Sequence, residues 1–337
     1  MSELIDLLDQ APENEAISNA ITTMYQKLSE YEKILCSVSG GSDSDIIIDL
    51  CQKIDGANKK ISYVFFDTGL EFQATKEHLK DLERRYGIEI IVIRAIKPIP
   101  ICCKQFGQPF LSKQVSEWIG RLQAHDFQWD KTTNLSKLEK KYPNCRAALR
   151  WWCNDYPDLK SGRPSSYNIK YNAYLREFLI ENHPDFKISN KCCHYAKKKV
   201  ASDFKRKEQF DLNMYGVRKA EGGARKGAYK TCFSTKKGMA DEYRPIFWFL
   251  ESDKRLYEEH YDIEHSKCYT EYGLKRTGCA GCPYARNFEE ELKAMETFEP
   301  KLYRAVNSVF GESYEFTRRY KIFVNEKNEK KKKSKKK

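Results

Sequence analysis

The densest group of soft metal donors in the chain is the adjacent pair Cys192-Cys193 together with Cys279-Ala280-Gly281-Cys282, 86 positions further on. Thiolates grouped this way bind zinc or an iron–sulfur cluster. Neighbouring cysteines suit a single tetrahedral zinc poorly, because both sulfurs must bend back toward one ion. A four-iron cubane carries its metals at separate corners and accepts neighbouring thiolates. The chain has twelve cysteines and opens Met1-Ser2-Glu3-Leu4-Ile5-Asp6, without the basic-then-apolar layout of a secretory signal. Thiol or metal chemistry is therefore expected rather than disulfides. Cys36 and Cys51 lie in apolar segments and read as small core residues, and Cys145, Cys153 and Cys268 read as structural. Cys102-Cys103 is a second adjacent pair, standing alone beside Pro98 and Pro100.

A second chemistry is written in Ser39-Gly40-Gly41-Ser42-Asp43-Ser44, which follows an apolar run and precedes a helical one. A helix N-terminus offers backbone N–H groups and a positive dipole end to an anion. Glycines at 40 and 41 let the backbone approach a phosphate, and three serine hydroxyls add donors. The Gly-Lys-Ser/Thr of a Walker A loop is absent, and an ordinary turn uses the same residue types. Asp67-Thr68-Gly69 closes the next apolar run, 28 positions after Ser39. In an open parallel sheet ligands sit beyond the carboxyl ends of the strands, so the two loops can face one pocket. Asp67 can hold a metal ion or a sugar hydroxyl there; the alternative is that Asp67 or Thr68 caps the next helix. Arg218, Lys219, Arg225, Lys226 and Lys230 form a basic stretch around Gly222-Gly223, just before Cys232. Nearby cations favour a thiolate and an anionic substrate. Of the six histidines only His194 adjoins such a group, and it reads as structural.

Alternating strands and helices must carry these loops. Ile34–Val38, Ile61–Phe66 and Ile88–Ile93 read as buried strands, with helices after Ser44 and over Phe72–Tyr86. That alternation argues for a parallel sheet with crossover helices. Residues 1–30 read as N-terminal helices. Residues 31–96 and about 188–250 read as the nucleotide-binding domain, with a strand near Leu212–Val217 and an apolar segment at Pro245–Leu250. Between them, 97–187 loosens into an insertion with helices near Ser112–Ala124 and Tyr167–Glu181. Residues 251–325 read as a helical cysteine-rich region and 326–337 as a disordered lysine tail.

Charge bounds the partners. Of the net +12, Lys327–Lys337 holds +7, with eight lysines and one glutamate, which leaves +5 on the other 326 residues. The body is thus no dedicated nucleic-acid binder; the lysine run is a solvated tail or an arm that touches nucleic acid. Mean hydropathy is −0.73. No apolar run approaches the roughly 18–20 residues needed to span a bilayer. A cytoplasmic protein with no membrane partner is expected.

Ser39–Ser44 resembles the SGGxDS loop of the PP-loop ATP pyrophosphatases, and Phe66-Asp67-Thr68-Gly69-Leu70-Glu71-Phe72 looks like the DTG segment of the phosphoadenosine phosphosulfate (PAPS) reductase branch. Gly216-Val217-Arg218-Lys219-Ala220-Glu221 resembles that family's G-[IVL]-R-x-x-[EQ] segment, and Thr277–Pro283 its late CxxC. The likeness runs over residues 30–310, with 97–187 poorly matched. It implies an α/β fold, a doubly wound parallel sheet of the adenine nucleotide alpha hydrolase-like type. An adenine nucleotide (ATP, APS or PAPS) would lie on Ser39, Gly40, Gly41, Ser42, Asp43 and Ser44. Asp67, Thr68 and Gly69 would share that edge, with Arg218 and Arg225 facing phosphate or sulfate. The paired cysteines followed by CxxC are similar to the pattern of the iron–sulfur APS reductases, which implies a [4Fe-4S] cluster on Cys192, Cys193, Cys279 and Cys282.

One departure bears on the reaction. No ECGLH motif with a nucleophilic cysteine follows Cys282. Cys232 is the remaining candidate, as a persulfide carrier or nucleophile, as a cluster ligand in place of Cys192 or Cys193, or as a structural thiol. The leading expectation is an ATP-dependent sulfurtransferase using Mg2+ that adenylates an acceptor, either a small molecule or a nucleic acid. APS or PAPS reduction with sulfite release is the second reading. A non-catalytic regulator binding nucleotide and nucleic acid is the third.

Overall fold

Short runs rich in β-branched and aromatic residues form the strands β1 (Ile34–Val38), β2 (Ile61–Asp67), β3 (Ile90–Arg94), β4 (Leu212–Tyr215), β5 (Phe233–Ser234) and β6 (Asp241–Tyr243). The computed structural model describes residues 2–56, 60–222, 227–235 and 237–334. The strands form one sheet in the order β3-β2-β1-β4-β6-β5. All neighbours run parallel except β5, which is antiparallel to β6. Ile34 lies opposite both Ile61 and Leu212, so the carboxyl ends of β1, β2 and β4 line up along one edge. The chain steps outward from β1 to β3 and then returns to the other side of β1. The strand order therefore reverses between β1 and β4, the place where such sheets open a crevice.

Both faces of β1 are covered, as a parallel sheet requires. Ile34, Cys36 and Val38 join a core with Ile46, Ile47 and Leu50 of helix Ser42–Asp55 and with Ile17, Ile21 and Met24 of helix Glu15–Glu30. Leu35 turns to the opposite face and packs with Val64 and Phe210. Cys36 and Cys51 are buried core residues, as expected. β3 begins two residues later than the periodicity suggests. Residues 245–250 pack Ile246, Phe247 and Phe249 inward as turns. The edge strands β5 and β6 have two and three residues, too few to show a period of two in sequence.

The chain divides into two units. The first takes in Met1–Pro98, Tyr195–Ala280 and Lys293–Leu302, and holds the whole sheet. The second takes in Ile99–His194, Gly281–Leu292 and Tyr303–Lys337. Residues 251–325, read from sequence as one region, are thus shared between the two. The second unit has its own aromatic core. Phe316 lies 4.9 Å from Phe110, 5.0 Å from Phe178 and 5.5 Å from Phe186, and Trp118 lies 5.3 Å from Trp151 (ring centroids). Helix Lys113–Gln123 is capped by the Ser112 hydroxyl, which accepts from the Val115 amide at 3.2 Å. The second expected helix shortens to Leu175–Glu181, because Tyr174 takes φ 55° and interrupts the run.

The tail corrects the expectation of disorder from residue 326. Helix Pro300–Ser334 runs through most of the lysine block. Lysine and glutamate favour a helix, and this one is already anchored upstream by Phe316 and Tyr320. Lys327 pairs with Glu177 at 2.7 Å and with Glu181 at 3.6 Å, both on exposed surface. Exposed pairs contribute at most about 1 kcal/mol. Deleting residues 328–337 should therefore leave the denaturation midpoint almost unchanged, while Phe316→Ala should cost about 3–5 kcal/mol. Chemical denaturation of the two variants checks both, and a tail deletion costing as much as the core truncation contradicts the assignment.

Candidate functional site

Helix Ser42–Asp55 starts directly after the turn that follows β1, and its N-cap, Gly41, supplies no side-chain cap. The amides of Ser44 and Asp45 donate to the Gly41 carbonyl at 2.7 and 3.2 Å, which tightens the first turn. Gly40 takes φ 64°, and a Cβ there would lie 2.6 Å from Thr75 Cγ2, so only glycine fits. The Ser39 amide donates to Ser44 Oγ at 3.1 Å, and the two serine hydroxyls lie 2.7 Å apart. A polar roof covers the turn. The Ser42 amide donates to the Tyr269 hydroxyl at 3.3 Å, and that hydroxyl lies 3.2 Å from Thr277 Oγ1. A Cβ at Gly41 would meet Thr277 Oγ1 at 3.0 Å and the Tyr269 oxygen at 3.1 Å.

Charge is arranged in a ladder beneath the loop. Buried Lys254 donates to Ser42 Oγ and lies 3.4 Å from Asp43 and 3.5 Å from Glu258. Asp45, fully buried, meets His78 Nε2 at 3.0 Å and His265 Nδ1 at 2.8 Å. His265 Nε2 reaches Glu258 at 2.8 Å. Burial alone would lower the His265 pKa, but the bonds to Asp45 and Glu258 outweigh it and raise the value to about 9. The ring is therefore an imidazolium at neutral pH and donates from both nitrogens.

The next loop is tied by its own side chains. Asp67 accepts from the Gly69 amide at 2.8 Å and lies 3.7 Å from Lys76. Thr68 donates to Glu71 from its hydroxyl at 2.5 Å and from its amide at 3.2 Å. Neither Asp67 nor Thr68 caps helix Gln73–Tyr86; Glu299 does so, accepting from the Gln73 and Ala74 amides at 2.8 and 3.1 Å. The segment ending in Cys279 runs beside this loop, with the Ala280 amide donating to the Leu70 carbonyl at 2.9 Å. Thr68 and Lys197 act on the Cys279 thiol and favour its thiolate. Burial pushes this thiol up, while Lys197 opposes that shift. Burial likewise pushes Glu71 up, again against Lys197.

Of the basic stretch, Arg218 is tied to the loop itself. Arg218 is buried, and its guanidinium donates to Asp43 and to Glu251, each at 3.0 Å. It braces the loop's own aspartate. Arg225 lies outside the described residues. Cys232 precedes the edge strand β5, three strand spacings from β1, or about 14 Å across the sheet. It lines a cavity of about 390 Å³ with Asn19, Thr23, Tyr243 and Trp248, so the structure does not bring it to the Ser39–Ser44 loop.

Three of the sequence-predicted ligands lie in the second unit, and they have company there. The neighbouring thiol of Cys103 and burial push the Cys192 thiol up, with Cys193 and Cys282 also acting on it. Tyr284 faces Cys192, Cys193 and Cys282. Tyr314 donates to the Gly281 carbonyl and stacks on Phe288 at 5.0 Å, which fixes the turn leading to Cys282. Among the described residues no three His, Cys, Asp or Glu side chains converge tightly enough to hold one metal ion. A cubane spreads its thiolates more widely than a single ion does, and the donors here are all soft.

Residues 33–112 match the family described as phosphoadenosine phosphosulfate reductase domain. The matched stretch holds β1, the Ser39–Ser44 loop, β2, Thr68, Glu71, β3 and the Cys102-Cys103 pair. An uncharacterized protein of Methanocaldococcus jannaschii, MJ0066, is 26% identical over 295 residues, which are 87% of this chain and 44% of that protein. The chain thus spans less than half the length of that relative. Two solved structures are similar at low identity. The PAPS reductase of Candida auris, solved with phosphate, has a TM-score of 0.41 at 11% identity, over 77% of this chain and 88% of that one. The U34-tRNA thiolase NcsA of Methanococcus maripaludis, solved with its [4Fe-4S] cluster, has 0.36 at 13%, over 91% and 80%.

Around this PAPS reductase domain match, several residues were invisible to sequence reasoning. Asp45, Lys254, Glu258, His265 and Tyr269 come together only through the fold. Thr277 had a signal, since it directly precedes Gly278-Cys279. The His265 ladder makes a pH prediction. The ring's pKa is about 9 when folded against about 6.5 when unfolded. Its stabilisation is complete below pH 6.5 and is lost as pH rises through 9, on the order of 3 kcal/mol in all. Denaturation midpoints measured from pH 6 to 9.5 should fall in the wild type and fall much less in His265→Gln. Parallel curves contradict the ladder.

Proposed function

We propose that the chain is an ATP-using enzyme that adenylates an acceptor and passes sulfur to it. The observation that carries this reading is the Ser39–Ser44 turn. It is a helix N-terminus without a side-chain cap, at the reversal of strand order, with Gly40 in a left-handed conformation where a Cβ would clash and Gly41 tightly enclosed. Such a turn suits phosphate oxygens. The Tyr269 and Thr277 hydroxyls sit where an incoming phosphate would take over their bonds to the loop. Mg2+ would arrive with the nucleotide and offset its charge, with the Asp67 carboxylate at the end of β2 on the same edge.

In the first step an acceptor oxygen forms a bond to the α-phosphorus, the bond to the bridging oxygen breaks, and pyrophosphate leaves with the electron pair. The loop amides and serine hydroxyls hold the triphosphate in line, and Lys254 and Arg218 keep Asp43 turned away from it. A hydrosulfide nucleophile then forms a bond to the activated carbon, and AMP leaves with the electron pair of the broken C–O bond. Cys279 lies at the end of the segment that runs beside the β2 loop, where Thr68 and Lys197 favour its thiolate. Cys192, Cys193 and Cys282 would hold a [4Fe-4S] cluster, which when bound supplies iron sites for inorganic sulfur.

The PAPS reductase domain match favours one competing reading, reduction of APS or PAPS. Incubation of anaerobically prepared protein with Mg-ATP, and separately with APS and PAPS, tells the two apart. Pyrophosphate formed from ATP without sulfite from either sulfonucleotide is the expected result; sulfite release with no pyrophosphate overturns it. Gly41→Val should weaken ATP binding at least tenfold by calorimetry with an unchanged circular dichroism spectrum. Unchanged affinity in that folded variant removes the phosphate assignment.

A further inference from the structure

We infer that the cavity beside β6 is a binding site for an uncharged aromatic heterocycle of one or two rings, separate from the Ser39–Ser44 turn. Its volume of about 390 Å³ falls within the range of small-molecule sites. One wall is a single stripe of helix Glu15–Glu30, where Glu15, Asn19 and Thr23 recur at intervals of four. Asn14 fixes the start of that helix by accepting from the Ile17 amide at 3.0 Å. The other wall is Tyr243, at the end of β6, followed by Pro245, Trp248 and Phe249. Cys232 also lines the cavity, and its carbonyl accepts from the Arg244 amide at 2.8 Å, which ties it to the second wall. All of these residues belong to the first unit.

The walls hold bonding capacity that the protein leaves unused. Among the described residues the side chains of Asn19 and Thr23 make no hydrogen bond, and Glu15 has no ion partner. The Tyr243 hydroxyl is also without a partner, although the residue is only 1% exposed. A buried phenol in that state is unfavourable, and an acceptor on a ligand relieves it. Trp248 is 51% exposed and offers its ring to a planar partner. Charge narrows the class. The amide, the two hydroxyls and the thiol are neutral, and Glu15 is the one charged residue in the lining, so an anion is repelled. Positive charge already stands around the cavity, with Lys219 4.6 Å over the Trp248 ring and Lys27 4.6 Å over the Phe233 ring of β5. A cationic ligand is therefore disfavoured as well, and a neutral ring with both donors and acceptors fits best.

The test follows alkylation of native full-length protein by N-ethylmaleimide, resolved cysteine by cysteine with mass spectrometry. 2-Pyridone, a neutral ring with one donor and one acceptor, should at millimolar concentration slow labelling of Cys232 at least threefold and leave the other cysteines unchanged. Its carboxylated analogue, 6-hydroxynicotinate, should give no such protection. Equal protection by the two, or protection by neither, overturns the inference. Asn19→Ala and Tyr243→Phe should each remove at least half of the effect of 2-pyridone; full protection in both variants overturns the assignment of these groups to a ligand. Saturating Mg-ATP should leave that effect unchanged, and competition between the two compounds overturns the separate site. Should Cys232 resist alkylation in the free protein, saturation-transfer NMR of 2-pyridone with the wild type and with Trp248→Ala decides. Transfer that vanishes in the variant supports the site, whereas no transfer, or transfer unchanged by the substitution, overturns it.

Discussion

A helix that begins at a strand end with glycine as its cap has a polar, electropositive end that no side chain of its own completes. The rest of the first unit is organised around that condition at Gly41. The reversal of strand order between β1 and β4 opens space beyond the turn. Thr75 closes on Gly40 so tightly that a Cβ has no room, and the Tyr269–Thr277 pair leaves little space at Gly41. The result is a tightly enclosed turn with hydroxyls and backbone amides around an uncapped helix end.

Rigidity here is electrostatic as much as steric. Asp43 and Asp45 lie in the first turn of the helix, where carboxylates interact favourably with the dipole but would also repel a phosphate. Each is countered. Arg218 and Lys254 hold Asp43, and the His265 imidazolium, with His78, holds Asp45. Glu251 and Glu258 balance the cations in turn. Among the buried members, Asp45, Lys254 and Arg218, removal of one partner leaves an uncompensated charge and is costly, so the network fixes the orientation of the loop more firmly than a single ion pair.

The parts of this site that were legible in sequence are those written locally. Glycines and hydroxyls after an apolar run marked the Ser39–Ser44 turn, and the same logic found Asp67-Thr68-Gly69. The alternation of strands and helices up to Ile93 was readable because buried parallel strands are continuous apolar runs. The partners were not readable, because they arise from packing between distant segments: His265 meets Asp45 across 220 positions, and Cys103 meets Cys192 through the contact of two helices. Neighbours in sequence are not always neighbours in space. Cys232 follows a basic stretch yet sits at the far edge of the sheet, and Arg218 turns to Asp43. The lysine block looked like a solvated tail because its charge pattern carries no sign of the anchored helix it extends.

The central claim is that the uncapped helix end after β1 receives the phosphates of an adenine nucleotide. Hydrogen–deuterium exchange of the full-length protein with and without saturating Mg-ATP tests it most directly. The account predicts slowed exchange at the amides of Ser39 to Asp45, accompanied by the Thr68–Glu71 loop beside it. Nucleotide binding that leaves those amides unchanged, with protection confined to other segments, would contradict it.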